Sequence, residues 1–209
     1  MNNIISKVNT SLVKLSLYVF CLFFQNVFAD SSANNLEKLL ANYHSYQASF
    51  SQINYNNKNK AAQRSQGLVY LAKPGKFRWE ILKPYQQTVI ANGDTVWIYD
   101  VDLAQATRQS LSKRGFNAAQ LLTEPATELS KKFTISEEDG WFKLTPNKTD
   151  KGFKAAFLKF QNNQLVALKI INQLNQTNLF TFSQIQINPK LNTGLFNFKA
   201  PAGVKVLKG

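Results

Sequence analysis

Between positions 76 and 81 bulk and charge alternate with period two, so Phe77, Trp79 and Ile81 share one face and Lys76, Arg78 and Glu80 the other. That pattern predicts a half-buried strand. A second apolar run at 88–91, then Asn92-Gly93-Asp94, then 96–99 predicts two further strands joined by a tight hairpin. Whether Val96 and Ile98 or Trp97 and Tyr99 face inward stays open, because a one-residue slip in register exchanges the faces. The same period recurs at 46–55, where Ala48 and Phe50 alternate with polar residues. It recurs at 65–72, where Leu68 and Tyr70 share one face and Val69 and Leu71 the other. Further strands are predicted at 105–110, 133–136, 141–145, 153–160, 164–171 and 178–187, with Asp139-Gly140 and Asn162-Asn163 as hairpin turns. The tail alternates again at Phe196 and Phe198, then at Val204 and Val206.

Helical spacing occurs in two places only. Leu36, Leu39, Leu40 and Tyr43 define a short amphipathic helix over 33–43, and 118–131 forms a helical interlude broken at Pro125. Ten or eleven strands with meander spacing exceed what an open sheet holds flat, since twisted sheets of more than ~10 strands curl, split or close. The expected fold is therefore mostly β. A single curved antiparallel sheet forms an incomplete, unclosed β-barrel of about 11 strands, lined by its aromatic faces, with the helices as a lid.

The first 29 residues change how much of the chain enters that fold. Lys7 and Lys14 precede an apolar run at 15–24, and Val27-Phe28-Ala29 ends it. This has the form of a secretory signal cleaved after Ala29, too short for a bilayer span of ~20 apolar residues. Residues 1–29 are thus expected to be a signal peptide and 30–209 the exported, folded domain. The one cysteine, Cys21, lies inside the apolar run behind Phe20, where a lipidation signal would want a small residue. A domain of that length can bury ~70% of its unfolded surface and needs no disulfide.

Charge narrows the function classes. Taking Lys7 and Lys14 from the net +13 leaves +11 for the domain, with the lysines dispersed rather than gathered into a run. Nucleic acid is not an expected partner. Neither G-x-S-x-G, H-E-x-x-H nor a glycine-rich phosphate loop occurs, so no enzyme chemistry is predicted. His44 is the single histidine and no metal site or cofactor is expected around it. Glu137-Glu138-Asp139 abuts a hairpin glycine and reads as a solvated turn.

Four separated segments carry a resemblance: ASFSQ at 48–52, GLVYLAKPGKFRWE at 67–80, VIANGDTVWIYDVDLAQAT at 89–107 and LFNFKAPAGVKV at 195–206. In that order they resemble the outer-membrane lipoprotein carrier (LolA) family. The resemblance implies an unclosed β-barrel with a helical lid over a hydrophobic cavity. It also implies a monomeric periplasmic chaperone that takes acylated lipoproteins from the inner-membrane ABC transporter LolCDE to an outer-membrane receptor. The acyl-chain cavity would be lined by Phe50, Leu68, Tyr70, Phe77, Trp79 and Ile81, closed by Leu121 and Leu122 of the lid segment GFNAAQLLT. Where the family usually has an arginine that latches lid to barrel, this chain has Lys73, with Arg64 and Arg78 as possible substitutes. Lysine keeps the charge but lacks the planar fork that engages two carbonyls at once. The alternatives are an outer-membrane receptor of the same fold, which would be a lipoprotein, or a periplasmic lipid or lipoprotein sensor.

Overall fold

The structure, a computed structural model, describes residues 25–111, 118–148 and 152–209. One helix, α1 (Gln25–Ala41), precedes six strands that follow one another as a meander: β1 (Ser45–Tyr55), β2 (Ala61–Ala72), β3 (Lys76–Lys83), β4 (Gln87–Asn92), β5 (Thr95–Asp100) and β6 (Gln105–Ser110). Two short helices, α2 (Ala118–Thr123) and α3 (Ala126–Lys132), lead into a second meander. It comprises β7 (Phe133–Glu138), β8 (Trp141–Pro146), β9 (Ala155–Gln161), β10 (Gln164–Ile171) and β11 (Thr177–Ile187). A 3₁₀ turn (Thr193–Phe196) and β12 (Lys205–Lys208) end the chain.

The sheet has 12 strands in the order β12-β6-β5-β4-β3-β2-β1-β11-β10-β9-β8-β7 and does not close. Strand β11 pairs with β1, which joins the two meanders in the middle and leaves β7 and β12 as the edges. The helical interlude therefore has to travel from one flank of the sheet to the other, which places α2 and α3 across the opening. The predicted architecture holds with two differences. There is one more strand than the sequence pattern indicates, and β12 pairs with β6 in parallel. The four-residue β12 is reached only after the tail has crossed the sheet, so its direction is set by a long connection that no local pattern reports.

Turn chemistry fixes the register. Asp139 and Gly140 have φ of 51° and 73°, and Asn162 and Asn163 have 49° and 60°. Positive φ at both central residues is what the favoured two-residue hairpin turn requires, and Asp, Asn and Gly accept it at least cost. Successive cross-strand pairs then align the inward side chains: Phe50 opposite Gly67, Val69 opposite Trp79, Leu71 opposite Phe77, and Phe77 opposite Ala91. The row continues through Phe50–Phe182, Phe180–Leu168 and Leu168–Leu158. All of these but Gly67 belong to one apolar cluster, which Leu36 and Leu40 of α1, Leu121 and Leu122 of α2 and Leu129 of α3 cover from the open side.

The tail makes a second, smaller core on the outer face. After β11 it passes over β3 and β4, where Phe196 and Ile90 are buried outside the main cluster. Phe198 sits 5.0 Å from the Trp97 ring and 5.5 Å from the Tyr99 ring. Trp97 and Tyr99 therefore face outward, and Val96 and Ile98 inward. Arg78, also on the outer face, pairs with Glu80 and donates from its guanidinium to the Leu195 carbonyl at 3.0 Å. We expect Arg78→Ala to cost about 1–2 kcal/mol. Thermal unfolding measures that loss, and hydrogen exchange at residues 195–199 should rise well before exchange in β1 or β2.

Candidate functional site

Trp79 occupies the centre of the concave face. Its ring centroid lies 4.2 Å from Phe50, 4.9 Å from Phe180 and 5.8 Å from Phe77, with Phe182 at 6.4 Å. Phe180 and Phe182 meet it edge-on, the arrangement that brings a positive ring edge against a negative ring face. Gly67 makes this packing possible. A Cβ at that position would stand 2.8 Å from the Phe50 ring and overlap the Glu80 carbonyl oxygen on the neighbouring strand. The side chains that meet around Trp79 are hydrocarbon, so the cluster offers area and shape but no directional bonds.

Of the sequence-predicted lining residues, the structure gathers Phe50, Phe77, Trp79, Leu121 and Leu122 in one buried cluster, with Ile81 packed at its margin. Leu68 and Tyr70 are a correction. Leu68 is the cross-strand partner of Glu80, and Tyr70 of Arg78, so both sit half-buried on the outer face. Val69 and Leu71, 0% and 5% exposed, take the inward places. Both faces of β2 are apolar, and a period-two pattern with no polar face does not choose between them.

The lid segment begins outside the described residues at Gly115, Phe116 and Asn117. From Gln120 onward α2 presents Leu121 and Leu122, fully buried and 5% exposed, against the sheet. The helix touches β2 and β3, the strands that carry Val69 and Trp79. Helix α3 adds Leu129, and α1 adds Leu36 and Leu40. The helices α1, α2 and α3 together thus close the open side, as the sequence pattern predicts. Between α3 and α1 the Ser130 hydroxyl donates to Glu37 at 2.7 Å, while the exposed pairs Lys132–Glu124 and Lys131–Glu128 contribute little.

Lys73 stands at the corner where these helices meet the barrel. Its backbone N–H donates to the His44 carbonyl at 2.9 Å, and its Nζ donates to the Leu40 carbonyl at 2.7 Å. Leu40 is in the last turn of α1, where carbonyls lack intrahelical partners and the helix dipole favours a cation. The resemblance led to an expected bond with the lid segment at 115–123; the bond goes instead to α1. One carbonyl is engaged, as the ammonium geometry allows. Arg64 is exposed, and Arg78 is engaged by Glu80 and the Leu195 carbonyl of the tail.

Burial holds the Lys73 ammonium below the usual lysine pKa. Between that depressed value and the ordinary one the unfolded chain binds the extra proton, so this site makes folding more favourable as pH rises through the window. The alkaline gain should be present in the native protein and absent from Lys73→Met, as read by denaturant unfolding at a series of alkaline pH values.

Two hollows share Lys73, Tyr43 and His44. The inner one is about 10 Å³ and touches Leu40, Tyr46, Leu71 and Leu122. The outer is an open groove of about 650 Å³ between Glu37, Lys73, Pro74, Thr123 and Thr127. The inner hollow is too small for an acyl chain. That hollow lies beside the ring cluster, where Trp79 is buried against Phe50 and Phe180. Its floor is held by two tyrosines. The Tyr46 hydroxyl donates to the Leu165 carbonyl at 2.8 Å; that of Tyr43 donates to the Asn163 carbonyl at 2.6 Å and accepts from the Leu165 N–H at 2.9 Å. Burial pushes both phenols above their usual pKa. Tyr46→Phe should cost about 1–2 kcal/mol, because the Leu165 carbonyl loses a partner without gaining water.

A half-barrel with a helical cover and a largely aromatic and aliphatic interior is a fold-level description, and the comparisons give it a family. The family model of the outer membrane lipoprotein carrier protein LolA matches residues 41–199. The chain belongs to the LolA family. An outer-membrane lipoprotein carrier protein from Coxiella burnetii is 39% identical over 200 residues, covering 93% of this chain and 95% of the relative. One from Legionella pneumophila is 36% identical over 200 residues, 93% and 98% of the two chains. Solved structures agree on the fold. A LolA superfamily protein from Nitrosomonas europaea has a TM-score of 0.52 at 13% identity over 82% of this chain and 98% of its own. A putative outer membrane lipoprotein-sorting protein domain from Vibrio parahaemolyticus has 0.52 at 11% over 81% and 97%.

Tyr43, Tyr46, Phe180 and Phe182 belong to the LolA-type interior, yet the motifs that carried the resemblance do not contain them. Their signal was period-two alternation in 46–55 and 178–187 and the end of the first helix. What it lacked was the β1–β11 pairing that brings Phe182 opposite Phe50 across more than a hundred residues.

Proposed function

We propose that this protein is a periplasmic carrier that covers the acyl chains of lipoproteins released from the inner membrane and delivers them to an outer-membrane receptor. The observation that carries the reading is the interior itself. An aromatic concave wall faces leucines from three short helices, and those helices are tied to the barrel by hydrophobic contact and by the Lys73–Leu40 bond. Each acyl CH₂ left in water costs about 0.8 kcal/mol, so a triacylated chain end does not cross an aqueous space unshielded. When the lid swings away, acyl chains take the places of Leu121, Leu122 and Leu129. One hydrocarbon replaces another against the same rings, and the free-energy difference between closed and loaded states stays small. Binding is then strong relative to water and weak relative to a competing apolar site, which is what transfer requires.

The export signal ending at Ala29 fits a periplasmic site of action, and no described helix is long and apolar enough to cross a membrane. The donor is an inner-membrane ABC transporter and the acceptor a receptor at the outer membrane. Purified protein added to spheroplasts should release newly made lipoprotein as a soluble one-to-one complex; a folded protein that releases none overturns the proposal. Lys73→Leu should load normally but deliver more slowly, because the closed state that expels cargo has lost that polar tie. Unchanged transfer kinetics would remove Lys73 from the latch role.

A further inference from the structure

The outer face of the sheet is divided. Over β3 to β5 the tail covers it, and Phe196, Phe198 and Arg78 seal the contact. Over β8 to β11 no described element covers it, and apolar and cationic side chains remain half-exposed. Cross-strand pairing runs Lys143–Phe157–Lys169–Leu179 in one row, and Leu179 continues to Ile53 and Arg64. The next row begins Trp141–Lys159. Partners in an antiparallel pair point to the same side, so these residues form one surface.

The lysines do not simply extend into solvent. Lys169 Nζ is 3.9 Å from the Phe157 ring centroid and 5.1 Å from that of Trp141, and Lys159 Nζ is 5.4 Å from Trp141. The ammonium groups are held close to the aromatic rings by cation–π attraction. Among the described residues, four cations (Lys143, Lys159, Lys169 and Arg64) share this face with one carboxylate, Glu138, which lies 3.4 Å from Lys143 at the margin.

We propose that this uncovered half of the outer face docks the carrier on an anionic phospholipid surface. Tryptophan sits by preference at the headgroup level of a bilayer, with lysine and arginine reaching anionic headgroups around it. A patch in which each ring carries an ammonium matches that layered environment: the rings enter the interfacial zone and the ammonium groups exchange the ring face for phosphate. A packed protein partner would instead leave several cations buried without carboxylates unless it were itself strongly acidic. The inference is independent of what the interior holds.

The test uses the protein in the form isolated from cells, mixed with vesicles of pure phosphatidylcholine or of phosphatidylcholine with about 30% phosphatidylglycerol, and read by flotation. We expect binding to the anionic vesicles at low salt, at least tenfold weaker at about 0.5 M NaCl or on the zwitterionic vesicles. Lys159→Glu/Lys169→Glu should lower anionic binding at least tenfold, with an unchanged melting temperature. Lys205→Glu/Lys208→Glu changes net charge equally but lies on β12, and it should retain binding. Equal loss in both double variants would mean that net charge alone acts and would overturn the assignment. So would binding of the wild type to a single-stranded oligonucleotide or an acidic peptide but not to anionic vesicles.

Discussion

Gly67→Ala is expected to destabilise the protein by about 3–5 kcal/mol, the upper range for a single substitution that inserts volume into a packed site. The reason is local and rigid. The added Cβ would meet the Glu80 carbonyl, which is backbone and part of the β2–β3 ladder, and the Phe50 ring, which is already fixed against Trp79. Neither neighbour moves cheaply. Gly93, by contrast, has open space where a Cβ would stand, so Gly93→Ala should show only the modest cost of its positive φ. Chemical denaturation of the two variants side by side measures the difference, and comparable losses would show that Gly67 is not the packing constraint described.

The second large effect concerns the lid. Leu121→Asp places a carboxylate at a fully buried position of α2. A lone buried carboxylate is too costly to retain, and α2 is the element that can leave. Because α2 packs on β2 and β3 through side chains and contributes no strand pairing, the sheet should survive its departure. The expected result is unchanged far-UV dichroism in the strand region, several-fold greater binding of a hydrophobic dye, and loss of lipoprotein release from spheroplasts. If the variant unfolded outright, the lid would be an inseparable part of the core. The swinging-lid account would then fail, whatever the interior binds.

Strands and turns were legible in the sequence because local chemistry dictates them. Asp139-Gly140 and Asn162-Asn163 adopt the positive φ values their composition favours, and Phe77, Trp79 and Ile81 lie on the face their alternation predicts. Legibility failed where information is non-local. Leu68 and Tyr70 could not be told from Val69 and Leu71 while both faces of β2 were apolar; only the pairing of Leu68 with Glu80 and of Tyr70 with Arg78 places them outward. Arg78 reads as a surface charge until the tail folds back over β3 to meet it. The place of Lys73 before Pro74 marked it as the latch candidate, but the Leu40 carbonyl its ammonium reaches was not legible. Which carbonyl an ammonium reaches depends on how α1 settles against β7 and α3, and no motif in 67–80 encodes that.

The account rests on the interior being a place that acyl chains enter, and the most direct measurement is distance from Trp79. In a Trp97→Phe/Trp141→Phe background Trp79 is the sole tryptophan. Loading that protein with a lipoprotein whose acyl chains carry bromine atoms near mid-chain should quench most of its emission, with no quenching when bromine is placed on the polypeptide. Full emission from a stoichiometrically loaded carrier would contradict the account, because the lipid would then be held somewhere other than against the Trp79 face.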